Sequence, residues 1–388
     1  MSSIKKLALI PILLSLFVMG FADFAAVASN YAKVGIGDDG NMSTLLPTIA
    51  YLMCPLLAYP SYRLTYYFGR KRTIMLALFI VSLGALIPLF HLGVCTITIS
   101  LVALGIGNTI LWVSTVPLLA SIVKAESLLP IFSMGQCLRL LPTCIAPLTI
   151  VASASALHPH QTFEWSLLCV VYSILALFAL ALFAMTPLDD ENIEAPHHQQ
   201  HLNLSLLRSP IVLFMLFIVF CNTGVDVGMG ALMPQLLSER LGMDIFAAIH
   251  SSGIYYLMRT LGCLIGVLML STESNKYSFF WFMSLVVLSL LVLLFSHSHM
   301  VMLVCIALTG IGSANVFSIS FCKVLSLYPD QRDEASALVI TTLCGGAIIP
   351  MLMAMVSESM GAETGVVLML VCAVAILAFF GYVFRVRS

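Results

Sequence analysis

Twelve apolar stretches run through this chain, at roughly 7–32, 44–67, 73–94, 96–123, 130–153, 166–186, 209–237, 246–270, 278–296, 299–326, 336–357 and 363–384. A helix needs about 20 apolar residues to cross a hydrocarbon core. Of the 388 residues, 61% are hydrophobic and 9% charged, against about 25% charged in a soluble domain. A water-soluble fold of this length has nowhere to hide so much apolar surface. The expected fold is all-α, a polytopic membrane protein of twelve helices. Neighbouring stretches blur at His91-Leu92-Gly93 and at Ser296-His297-Ser298-His299, so eleven or thirteen helices are alternatives.

Charge sets the expected orientation, because lysine and arginine collect on the cytoplasmic side. Lys5, Lys6, Arg70, Lys71, Arg72, Lys124, Arg208, Lys276, Arg332, Arg385 and Arg387 fall on one side; Lys33 and Arg240 fall on the other. Both termini are then cytoplasmic, in an inner membrane. Met1 to Phe17, with Lys5 and Lys6, has the character of a signal peptide. The apolar run continues to about Ala32 with no small-residue cleavage pattern, so it reads as a retained first helix. The longest polar segment, Asp189 to Arg208, divides the chain. It suggests an N-terminal six-helix bundle (1–187), a flexible cytoplasmic linker (188–208) and a C-terminal bundle (209–388). His197, His198 and His201 lie in that linker and read as a solvated loop.

The two halves look duplicated. Asp23 follows Gly20 and Asp226 follows Gly224, both deep in apolar segments. Gly-Ile-Gly segments start at Gly105 and Gly310, 85 and 86 residues after those glycines. A carboxylate at membrane depth is costly and marks a functional position by default. Arg139 and Arg259 are also left inside the slab, so the four intramembrane charges sum to zero. They form either two structural ion pairs or a cavity that handles solute and protons.

Several segments resemble the major facilitator superfamily. Gly69-Arg70-Lys71-Arg72 resembles the tail of its helix 2–3 signature, although Tyr62, Tyr66 and Tyr67 stand where the signature has Gly, Asp and Arg. Further stretches resemble its fucose–proton symporter and sugar permease branch. These are Gly105-Ile106-Gly107-Asn108 with Val116-Pro117-Leu118, Gln136, and Tyr255-Tyr256-Leu257-Met258-Arg259-Thr260-Leu261-Gly262. Gly310 to Phe317 and Gly345-Gly346-Ala347-Ile348-Ile349-Pro350 complete the set. Departures are visible too. Trp112 and Val116-Pro117 stand where that branch has a Glu ahead of Asn-Pro, and Val27 stands where its helix 1 acid falls.

The resemblance implies two pseudo-symmetric six-helix bundles, with helices 1, 4, 7 and 10 lining a central cavity and 2, 5, 8 and 11 flanking it. On those helices, polar residues recur at helical spacing: Asp23 and Asn30, Asn108 and Trp112, Gln136 and Arg139, Asn222 and Asp226, Tyr255 and Arg259, Asn315 and Ser318. Amides that donate and accept, with a flat aromatic face, suit a polyol; helix–helix hydrogen bonding is the plainer use of each amide alone. A desolvated carboxylate holds its proton more tightly, which makes Asp23 the first candidate for proton coupling and Asp226 the second. Gly69, Arg70 and Lys71 are candidate gating residues, as are Gly345, Gly346 and Pro350, where helix 11 could bend.

The expected function is secondary active transport of a small polar solute, sugar-like, driven by protons and without a cofactor. An exporter of drugs or metabolites is the alternative within the family, and a non-transporting sensor the alternative outside it. An enzyme is not expected, since no His has a partner at metal-ligand spacing and His250 stands alone. No Gly-x-x-x-x-Gly-Lys-Ser/Thr phosphate loop appears. The eleven cysteines show no metal spacing and read as small apolar filler. The expected partners are the solute and the lipid bilayer, with no nucleic acid; the chain is expected to act as a monomer.

Overall fold

A computed structural model describes residues 3–29, 42–90, 94–155, 161–187, 204–269 and 275–385. Among the described residues there is no strand. The first half holds α1 (Ser3–Ser29), α2 (Met42–Phe68), α3 (Arg70–Leu86), α4 (Val94–Ile122), α5 (Ala125–Ser155) and α6 (Gln161–Met185). The second holds α7 (Pro210–Leu241), α8 (Ile245–Met269), α9 (Asn275–Phe295), α10 (His299–Ser313), α11 (Val316–Leu327), α12 (Arg332–Thr341), α13 (Gly345–Met360) and α14 (Ala362–Arg385). Helices α10 and α11 form one span, broken at Ala314-Asn315; α12 and α13 form another, broken by a 3-10 turn at Thr342–Cys344.

Eleven segments among the described residues are long and apolar enough to cross a membrane. The twelfth helix, α2, is of similar length but is diluted by Tyr51, Tyr59, Tyr62, Arg63, Tyr66 and Tyr67. Its polarity fits its place, since it borders the cavity and the seam between the halves.

The two Gly-Ile-Gly segments do the same work in each half. A Cβ at Gly105 would meet the backbone of Ala50 in α2, and one at Gly107 that of Ala77 in α3. A Cβ at Gly310 would meet the carbonyl of Tyr255 in α8, and one at Gly312 that of Phe282 in α9. Each half therefore threads its fourth helix between its second and third at backbone contact distance, an approach only glycine permits. The duplication seen in the sequence is a duplication of packing.

Between the halves, α5 lies along α8. Cys137 and Leu140 of α5 form a small buried cluster with Cys263 of α8 and Ala314. Cys144 Sγ and Thr260 Oγ1 meet across the same seam at 3.1 Å. Small side chains keep these two helices close.

Arg240, the described basic residue on the lysine-poor side, is consumed structurally. It donates to Glu363 and to the carbonyls of Leu293, Leu294 and Ser296 at the end of α9. Those are orphan acceptors at a helix C-terminus, so a cation belongs there.

Candidate functional site

The central cavity opens where the halves meet. Ala22 and Asp23 (α1), Ala50, Tyr51 and Cys54 (α2), Asn108 and Trp112 (α4) and Arg139 (α5) line it from the first half. Thr223 and Asp226 (α7), Arg259 (α8), Phe317 (α11) and Leu343 line it from the second. All four intramembrane charges are here.

They are paired. Arg139 Nη1 bonds Asp23 Oδ2, joining α5 to α1, and Arg259 Nη2 bonds Asp226 Oδ2, joining α8 to α7. The two pairs are held differently. Asp226 also accepts from Tyr255 Oη at 2.6 Å and from Asn222 Nδ2 at 3.1 Å. Arg139 is the one hydrogen-bonding partner found for Asp23 among the described residues. The guanidinium of Arg139 has other supports: its Nε donates to Gln136 Oε1 at 3.1 Å, and it lies 5.1 Å from the Trp112 ring centroid. The pairs also sense each other across the cavity, Asp23 lying within electrostatic reach of Arg259 and Asp226 of Arg139.

Several expected site residues stand off the cavity wall. Gln136, Asn222 and Tyr255 do not line the cavity; they stand behind the charges and orient them. Asn315 faces α8, where its Nδ2 donates to the Gly262 carbonyl at 2.8 Å. It sits at the break between α10 and α11 and ties that break to a neighbour. Ser318 is fully buried off the cavity. Trp112 borders the cavity but offers no free face: Arg139 covers its ring, and Phe132, Phe317 and Phe321 pack around it. Asn108 alone of the described candidate amides reaches the cavity, its Oδ1 without a hydrogen-bonding partner. Asn30 lies outside the described residues.

Tyr51, Cys54, Thr223, Phe317 and Leu343 are cavity residues that the sequence reading missed. Thr223 had a signal, since it stands three residues before Asp226 and so on the same helix face. Tyr51 and Cys54 are likewise three apart, but on a helix not counted as lining.

On the lysine- and arginine-rich side the halves are closed over one another. The aromatic cluster of Trp112, Phe132, Phe317 and Phe321 forms the cavity floor, drawn from α4, α5 and α11. Beyond it, Arg70 grips Asp333 bidentately, Nε to Oδ1 at 2.9 Å and Nη2 to Oδ2 at 2.7 Å. Tyr62 donates to Glu334 at 3.0 Å, and Arg332 donates to the Ala120 carbonyl at 3.1 Å. Tyr62 thus occupies a signature glycine's place yet still contributes to closure, and the acid absent from the signature is supplied by α12. Gly69 has φ 80; this left-handed turn lets α2 reverse directly into α3 and presents Arg70 at the seam. Lys71 instead donates to the Thr186 carbonyl at 2.8 Å, within its own half.

Gly345 and Gly346 are contact glycines: Cβ atoms there would meet the Phe220 backbone and the Tyr51 ring. The interruption of the eleventh span lies just before them, at Thr342–Cys344. Pro350 stays inside α13, where its missing N–H frees the Gly346 carbonyl.

The sequence matches the Major Facilitator Superfamily over residues 12–280. The chain belongs to the Major Facilitator Superfamily. A glucose/galactose transporter of Brucella abortus is 21% identical over 348 residues, 84% of this chain and 82% of that protein. The Escherichia coli fucose:proton symporter FucP aligns with a TM-score of 0.75 at 16% identity, covering 97% of this chain and 98% of that one. A bacterial homologue of the iron transporter ferroportin, in an outward-facing state, aligns with a TM-score of 0.76 at 17% identity, covering 99% and 100%. The proton:xylose symporter XylE gives 0.75 at 14%, covering 98% and 95%. At these identities the structural likenesses show a shared fold. The cavity of the present chain lies where its two halves meet.

Proposed function

We propose that this superfamily member is a secondary active transporter that moves a small, polar, sugar-like solute by alternating access, coupled to protons. The observation that carries this reading is the pair of Asp–Arg contacts on the cavity wall. Burying ion pairs in a membrane has a large desolvation cost that an apolar core would avoid. Charges placed where a solute must pass are explained by what they bind. The Brucella glucose/galactose transporter supports a sugar-sized substrate. Asn108 and Thr223 supply hydroxyl-binding groups on opposite walls. The polar wall disfavours an exporter of apolar drugs, which calls for a broad apolar cavity.

We read the chain as bundles at 1–187 and 209–388 joined by a cytoplasmic linker at 188–208, a division supported by the matching glycine contacts within each half. The basic side is cytoplasmic, in the inner membrane, by the charge rule. Closure is then on the cytoplasmic side, and solute enters from the opposite face. The cavity volume is about 50 Å³, against roughly 300–1,000 Å³ for sites that enclose a drug-sized ligand. The bundles therefore part further to admit a solute. The chain works as a monomer, without a cofactor and without enzymatic activity.

Proton coupling falls to Asp23. A proton on Asp23 removes its attraction for Arg139, and Gln136 and Trp112 are placed to hold the released guanidinium. Uptake of labelled sugars and sugar derivatives into proteoliposomes, with and without an imposed pH gradient, tests the reading. No accumulation of any of them, with efflux of apolar dyes instead, overturns it.

A further inference from the structure

The charge count of the cavity constrains its solute more narrowly than its shape does. Resting on the transport reading above, we infer that the solute is a small polyhydroxy monocarboxylate, carried with one proton in an electroneutral cycle.

Four charged side chains line the cavity, Asp23, Arg139, Asp226 and Arg259, and with both pairs formed they sum to zero. The empty transporter can therefore change conformation with no net charge at membrane depth. Loading must preserve that neutrality, since a net charge in a low-dielectric medium is strongly disfavoured. A proton together with a neutral sugar leaves the cavity at +1. A proton together with a monoanion leaves it at zero.

The hydrogen-bonding capacity left on the wall points the same way. Arg259 is 7% exposed, and its Nε–H has no acceptor among the described residues. Its partner Asp226 already accepts from Arg259, Tyr255 and Asn222. The proton goes to Asp23, forming an O–H bond on its carboxylate and freeing Arg139. The groups around Asp23 are Arg139 of α5, Tyr51 and Cys54 of α2, Tyr172 of α6 and Arg259 of α8. Arginine is the cation present among them, and it is not a proton donor at working pH, so the proton comes from the medium. Arg139 and Arg259 then face the cavity from opposite bundles and offer guanidinium donors to a carboxylate, a match that arginine makes in planar, paired geometry. Asn108 Oδ1, and the Thr223 oxygen whose proton is given to the Val219 carbonyl at 2.8 Å, remain to accept from the solute's hydroxyl groups. When the cytoplasmic side opens, Asp23 gives up its proton, recaptures Arg139 and releases the anion.

Proteoliposomes holding the full chain, supplied with labelled gluconate, glucuronate, glucose, galactose or fucose, decide the matter. Two driving forces are imposed separately: a pH gradient, acid outside, and a potassium–valinomycin potential, negative inside. Gluconate or glucuronate should accumulate in response to the pH gradient, about tenfold at equilibrium for one pH unit. The potential alone should leave that uptake unchanged. Accumulation of a neutral sugar in response to the potential overturns the inference, as does equilibration of a neutral sugar that neither gradient affects. In the first case the proton-coupled transport reading stands; in the second its proton coupling falls with the inference and solute transport alone remains. Uptake of no solute in the panel removes both.

Discussion

Removing the Arg70–Asp333 contact should open the lysine- and arginine-rich side. The two residues lie on different bundles, and their side chains are 10% and 8% exposed. Hydrogen bonds to charged groups contribute about 1.5–3 kcal/mol, and a buried ion stripped of its partner costs about 3–5 kcal/mol. Some exposure remains at both residues, so about 2 kcal/mol is a reasonable loss for Asp333→Asn on this scale. That loss falls on the closed state alone, because the partners separate when the bundles part. At 1.4 kcal/mol per factor of ten, the opened population should rise about thirtyfold. Ser336 provides the reporter. It is fully buried beneath the latch, with its hydroxyl 3.4 Å from the Trp112 carbonyl. A cysteine introduced by Ser336→Cys should react with a bulky maleimide in inside-out vesicles only when the gate opens. Labelling at that position is read by peptide mass spectrometry, so the native thiols stay in place. Asp333→Asn should speed labelling by about that factor, and the exchange Arg70→Asp with Asp333→Arg should restore the slow rate. An unchanged rate in Asp333→Asn would refute the latch.

Asp23→Asn should abolish accumulation driven by a pH gradient while preserving solute exchange across the membrane. Loss of exchange as well would show a structural role. Arg240→Ala should leave three carbonyls at the end of α9 without their donor and cost about 1–3 kcal/mol. It should lower the melting temperature of the detergent-solubilised protein with transport intact, and an unaltered melting curve would contradict this. Gly312→Ala drives a Cβ to within 2.6 Å of the Phe282 carbonyl. Overpacking of this kind costs about 1–3 kcal/mol, and a melting temperature equal to wild type would show that α9 and α10 have room to spare.

Much of the fold was legible because the membrane imposes a single period and a single length. Leu, Ile, Val and Phe runs had to be helices, and Gly105, Gly107, Gly310 and Gly312 marked where helices touch. The four charges were legible for the same reason, as costly residues with nowhere else to go. What could not be read was direction. Helical spacing put Asn222 on the face of Asp226, but not whether it pointed at solute or at the carboxylate. Asn315 looked like a cavity amide from its motif, and it became a cross-helix bond because the chain breaks beside it. Trp112 looked like a stacking surface, and tertiary packing gave its face to Arg139. The latch acid was hidden because the signature seeks it near α2, whereas Asp333 comes from a helix 263 residues away from Arg70.

The two charge pairs also break the symmetry that the sequence advertises, and this separates their roles. Asp23 and Asp226 stand on equivalent helices, α1 and α7. Their partners do not: Arg139 lies on the fifth helix of its bundle and Arg259 on the second of its own. What the arginines share is the seam, because α5 and α8 are the helices that pack on each other between the bundles. Each pair therefore ties a lining helix to an element of the moving interface. Asp23 makes one such tie and can release it. Asp226 is fixed by three donors, and replacing it with Asn would set an amide group against Tyr255, Asn222 and a guanidinium with no counter-charge. A buried cation left in that state costs about 3–5 kcal/mol. Asp226→Asn should accordingly lose solute exchange as well as gradient-driven accumulation, where Asp23→Asn loses accumulation alone. If Asp226→Asn still exchanges solute and only the response to pH disappears, then Asp226 is the proton site and Asp23 the fixed tie.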